Sequence, residues 1–115
     1  MNADITANSA VVEMARLSRQ LDEAGYRLKD AEKKAVQAEH AYRVAKAKAL
    51  LSVKDGTVPE REATALLEVD SVRLAAKLAE AELRILRSEI RILENRIDVG
   101  RSVVGVLRME ACLAR

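Results

Sequence analysis

The chain is predicted to be all-α: a long antiparallel two-helix coiled-coil hairpin with a C-terminal helical assembly segment. Three observations carry the prediction. Half of the 115 residues are apolar, yet aromatics make up only 2% and a third of the chain is charged, a composition of coiled coils rather than of compact cores built on large rings. One short break, Val53-Lys54-Asp55-Gly56-Thr57-Val58-Pro59-Glu60, interrupts otherwise continuous helical patterning. On either side of it apolar residues recur in alternating steps of three and four, the spacing of a helical seam.

In chain order, residues 1–8 are small, polar and aperiodic, and are expected to form a flexible tail. Asn8 or Ser9 is a candidate cap for a first helix over residues 9–54. Its seam runs Met14, Leu17, Leu21, Ala24, Leu28, Ala31, Ala35, Ala38, Tyr42, Ala45, Ala49, Ser52, with charged residues between. The first half is Met and Leu and the second almost wholly alanine, so the helix pair should thin toward the break. Alanine lets helices approach closely but buries far less than the leucine that contributes about 1.5–3 kcal/mol. Gly25 should cost about 1 kcal/mol against alanine in a helix interior, and close backbone approach is its expected reason.

Residues 55–57 are the turn. Gly56 suits the left-handed conformation that closes a helix, and Thr57-Val58-Pro59-Glu60 has the form of a capping box with proline in the first turn, where its missing N–H is not needed. So short a connection makes the flanking helices antiparallel. The second helix, residues 58–98, repeats the seam as Ala65, Val69, Val72, Ala76, Ala79, Leu83, Leu86, Ile90, Leu93, Ile97, small near the turn and large far from it. Two stretches agreeing on one taper is consistency between levels.

The second helix carries another stripe: Leu67, Leu74, Leu78, Ala81, Ile85, Ile92, Val99, Val103 and Val106. One antiparallel partner covers a single seam, so the other stripe calls for another subunit or a different protein. The first helix should run out near Gly100. Residues 99–115, with Val103, Val104, Val106, Leu107 and Ala111, are therefore expected to form an oligomerisation segment that continues the helix or bends at Gly100. Folding back over the open end is the alternative.

No chemistry is announced. His40 is the sole histidine and lies off the seam, Cys112 is the sole cysteine, and there is neither a phosphate loop nor metal-ligand spacing. The expectation is a non-enzyme without cofactor, metal or small-molecule substrate. With no secretory leader pattern and no apolar run near the roughly 18 residues of a membrane span, it should be soluble, without a membrane partner, and cytoplasmic. A net charge of +2 alone does not imply nucleic acid. Its distribution is more informative: residues 41–54 hold Arg43, Lys46, Lys48 and Lys54 and no acid. Cations are favoured at a helix C-terminus by its dipole, which is the structural explanation. The functional one is a patch for phosphates, amplified in an oligomer, and without aromatics to stack on bases.

The run Ala31-Glu32-Lys33-Lys34-Ala35, the pair Lys46-Ala47-Lys48 before a polar turn, the long returning helix, and the ending Arg101-Ser102 with Leu107-Arg108-Met109-Glu110-Ala111 together resemble the UvsY-like recombination mediator proteins of tailed phages. The resemblance covers residues 30–111 and is one of order and spacing. It implies a helical homo-oligomer, assembled partly through Val103 to Ala111, that binds single-stranded DNA, with Lys46 and Lys48 matching the family's basic pair before the turn; the lack of aromatics makes the expected contact one with the backbone, without sequence preference. It also implies a recombinase or single-strand-binding protein as partner and, for a phage protein, the host cytoplasm as location. The alternative from a different class is a small helical interaction module, a host-factor binder or coiled-coil scaffold, without DNA binding.

Overall fold

The computed structural model describes residues 6–114. It contains three helices, α1 (Ala7–Ser52), α2 (Val58–Glu68) and α3 (Asp70–Leu113), so the chain is all-α and α1 is returned antiparallel by α2 and α3. Of the expected tail, residues 1–5 lie outside the described residues, and Asn8 is already helical. The cap of α1 is Thr6. Its hydroxyl accepts from the Ser9 amide at 3.1 Å while the Ser9 hydroxyl accepts from the Thr6 amide at 3.0 Å. That is the reciprocal logic of a capping box with serine in the place of glutamate.

The end of α1 falls at Ser52, two residues before the expected boundary, and Val53 closes the ladder by donating to the Ala49 carbonyl at 3.1 Å. Gly56 takes φ +96°, the left-handed conformation its sequence context predicts. Thr57 then caps α2: its hydroxyl accepts from the Glu60 amide and the Glu60 carboxylate accepts from the Thr57 amide, both at 3.4 Å. The second helix, expected as one piece, is divided at Val69, whose φ of −103° and ψ of 13° leave the helical basin. A β-branched residue followed by Asp70 and Ser71 is poor in helix propensity, and burial of the Val69 side chain holds the irregular residue in place. The hydrogen bonds nevertheless carry through, Val69 to Ala65 and Arg73 to Val69.

The chain packs as two compact units, residues 28–85 and residues 6–27 with 86–114. In the first, Ala31, Ala35 and Ala49 of α1 and Ala65 and Ala76 beyond the turn are buried, with Ala65 wholly inaccessible. Ala49, Ala65 and Val69 form a cluster on which Tyr42 and Ala45 pack. This is the thin alanine interface that the taper predicts. In the second unit most of the buried residues are larger, Leu17 from α1 and Leu86, Ile97 and Val104 from α3, with Ala24 the exception. Among the described residues no polar or charged side chain is buried, so the interior of each unit is held by apolar packing alone.

Two expectations are corrected here. Gly25 has nothing within 4 Å of where a Cβ would stand, so close approach within the chain does not explain it. The close approach occurs at Gly100 instead, where a Cβ would meet the Met14 side chain at 3.0 Å. The pairing of the two helices sets Gly100 against Met14, well inside α1, so α1 still covers α3 at Gly100 and beyond. The seam of α3 therefore continues through Gly100 to Val104, which is buried at 7% exposure, and to Leu107, which is half-buried. Residues 99–113 neither bend at Gly100 nor fold back: α3 runs unbroken to Leu113.

Candidate interaction surfaces

Two features survive as candidate working surfaces. The first is the outward face of α3, which lies about 200° round the helix from the buried seam, two residues on at 3.6 per turn. Leu74, Leu78, Ile85, Ile92, Val99 and Val106 are all at least half exposed. Leu67 on α2, at 80% exposure, belongs to the same pattern. Large apolar side chains scattered singly on a surface need no explanation, but a periodic row of them does.

The row is more complete than a count of its apolar residues suggests. From Leu74 to Leu113 the alternation of four and three selects Leu74, Leu78, Ala81, Ile85, Ser88, Ile92, Asn95, Val99, Ser102, Val106, Met109 and Leu113. No member is charged, in a chain one third of whose residues are. Ser88, Asn95 and Ser102 hid the pattern because they interrupt a purely apolar count, yet each is small and uncharged. Ser102 even returns its hydroxyl to the Asp98 carbonyl at 3.3 Å, meeting its own hydrogen-bonding need. Met109 and Leu113 extend the stripe to the end of α3 and are exposed at 65% and 80%.

The five residues expected to assemble the C-terminal segment are not equivalent. Val103 and Val106 are exposed, and Ala111 is exposed as well. Val104 and Leu107 belong to the inner seam and are turned to the chain's own packing. An acidic substitution at Val104 therefore attacks the fold of this unit before any assembly.

The second feature is the basic end of α1. Arg43 is joined to Glu39 by a hydrogen-bonded ion pair of 3.1 Å, which leaves less of its charge for a ligand. No ion pair joins Lys46, Lys48 or Lys54 to a carboxylate among the described residues. The structure does not gather the four on one face. Lys46 and Lys48, two residues apart on a regular helix, point about 200° from one another. Lys54 lies beyond the end of α1 in the connection. They ring a helix end rather than line a groove.

Several of the remaining charged groups form surface pairs. Arg16 pairs with Glu13, Lys34 with Asp30, Arg73 with Asp70 and Arg27 with Glu89, all well exposed and separately weak. The Arg16 hydrogen bond holds the Glu13 carboxyl below its ordinary range, and the Asp30 hydrogen bond holds the Lys34 ammonium above its own. His40 is exposed and Cys112 is a free, exposed thiol. Among the described residues no group of histidine, cysteine and carboxylates is placed to hold a metal, and no helix is long and apolar enough to cross a membrane. The grooves beside Leu17 and Val99 are apolar, with Glu13 and Arg96 the charged groups in their lining. Such a lining offers no convergent polar set of the kind that orients a small ligand. No protein-family model, curated protein or solved structure matches the chain.

Proposed function

We propose that this protein is a helical interaction module whose working surface is the outward face of α3. The observation that carries the reading is the uncharged heptad row from Leu74 to Leu113, exposed while the chain's own packing is already satisfied by the inner seam. A helix with two seams has two partners, and α1 supplies one. Apolar side chains at these spacings seat in the grooves of a facing helix, so the partner surface is itself helical. Photo-crosslinking from position 92 or 99 in the full chain, with position 94 as control, tests it. Crosslinks to protein from 92 and 99 and none from 94 are expected, and their absence from the outward positions refutes the reading.

A second reading is supported by the acid-free stretch ending in Lys46, Lys48 and Lys54. A ring of unpaired ammonium groups at a slim helix end suits the phosphate backbone of single-stranded nucleic acid, wrapped rather than held in a cleft. Combined with the resemblance above, this reading is a DNA-binding recombination accessory protein, homo-oligomeric and of phage type. Fluorescence anisotropy with a labelled oligonucleotide tests it: binding should weaken steeply with salt and be lost in Lys46→Glu/Lys48→Glu. Affinity indifferent to both salt and substitution would discard it.

A further inference from the structure

We propose that the occupant of the α3 face is a second copy of this chain, lying antiparallel, with Ile92 against Asn95 of the second copy. The inference rests on the interaction reading and names its partner. Two independent features of residues 86–114 support it. The first is volume. Along the face, large apolar Ile92 and Val99 alternate with small polar Ser88 and Asn95. A parallel, in-register copy would stack Ser88 on Ser88 and Asn95 on Asn95, leaving thin polar layers between thick ones. The antiparallel register sets Ile92 on Asn95 and Val99 on Ser88, so each of these central layers holds one large and one small side chain.

The second feature is charge. Glu89 and Arg96 flank the face on one side, and Arg91 and Asp98 on the other. In an antiparallel pair like flanks meet. With Ile92 on Asn95, Glu89 faces Arg96 of the second copy and Arg91 faces its Asp98, each pair repeated by the two-fold axis. Sliding one heptad in one direction puts Glu89 on Glu89 and Arg91 on Arg91. Sliding one heptad the other way puts Arg96 on Arg96 and Asp98 on Asp98. The parallel alternative sets Arg91 against Arg96. One register alone joins unlike charges throughout, which is how opposed alignments are excluded. Within the chain Glu89 and Asp98 have only long, exposed pairs, 3.7 Å to Arg27 and 3.8 Å to Arg101, so both remain available to a second copy.

Cysteine pairing in the full chain on a Cys112→Ser background tests orientation and register together. Under mild oxidation a mixture of Ser88→Cys and Val99→Cys chains should yield the mixed disulfide dimer, while neither alone crosslinks. Self-crosslinking of each variant alone, or no crosslink in the mixture, overturns the pairing. Sedimentation of Arg91→Glu supplies the second arm: the dimer should weaken about tenfold or more, since two unlike pairs become alike, and adding Asp98→Arg should restore it. A dimer unchanged or tightened by Arg91→Glu overturns the pairing. Circular dichroism of each variant checks that the exposed substitutions leave the helices intact. Photo-crosslinks from position 92 to a different protein, with no mixed disulfide, leave the interaction reading standing and sink this one.

Discussion

Replacing Gly25 with alanine should stabilise the protein, although the residue sits in a helix beside fully buried Ala24. A methyl group there meets nothing within 4 Å, so no repacking is required. Glycine in a helix interior is about 1 kcal/mol worse than alanine, part of it through the freedom the unfolded chain loses. A gain of about 1 kcal/mol corresponds to a rise in melting temperature of roughly 4 °C for a chain of this size. Urea unfolding followed by far-ultraviolet circular dichroism measures it as a higher midpoint at unchanged slope. Gly56→Ala, the same chemical change, should have the opposite sign. Its φ of +96° is a conformation that side chains resist, and the new Cβ would stand 2.6 Å from the Glu60 carboxylate that completes the cap. A loss of about 1–2 kcal/mol follows. A fall in midpoint for Gly25→Ala would refute the reasoning, because it would require something packed against that position.

Other outcomes follow from the same packing. Thr57→Ala should cost about 1 kcal/mol through the lost cap of α2, read from the same urea curves. Ala24→Leu should cost about 1–3 kcal/mol by overfilling a position with no accessible surface, whereas Ala63→Leu on the exposed side should be close to neutral. Val104→Asp should lower the melting temperature sharply, since it puts a carboxylate into the inner seam; an unchanged melt with altered mass would return Val104 to the assembly surface. Removing the Arg16 guanidinium by Arg16→Ala should raise the Glu13 pKa toward its ordinary value in an NMR titration. The contribution of that pair is present above the unfolded carboxyl pKa and fades as pH falls through the depressed folded one.

Much of this molecule was legible in its residues because it is built from local rules. Alternating steps of three and four determined both inner seams, and Met14 to Ala49 are indeed the covered positions of α1. Gly56, Thr57, Pro59 and Glu60 determined the turn, since a left-handed glycine and a reciprocal cap are properties of a few adjacent residues. The outward stripe of α3 was visible too, though its small polar members concealed its length. What only the tertiary structure decided was how far one helix covers the other. That α1 is capped by Thr6 rather than by Asn8 or Ser9 depends on a reciprocal pair, Thr6 with Ser9, that carries no acidic signature. The offset of the two helices sets Gly100 against Met14, well inside α1, and this places Val104, one turn further on, in the chain's own interior rather than on the expected assembly surface. The empty space at Gly25 and the tight contact at Gly100 were likewise unreadable, because glycine looks the same in sequence whether or not a neighbour stands beside it. Periodicity determines which side of a helix is buried; only the packed pair decides where along its length the burial ends.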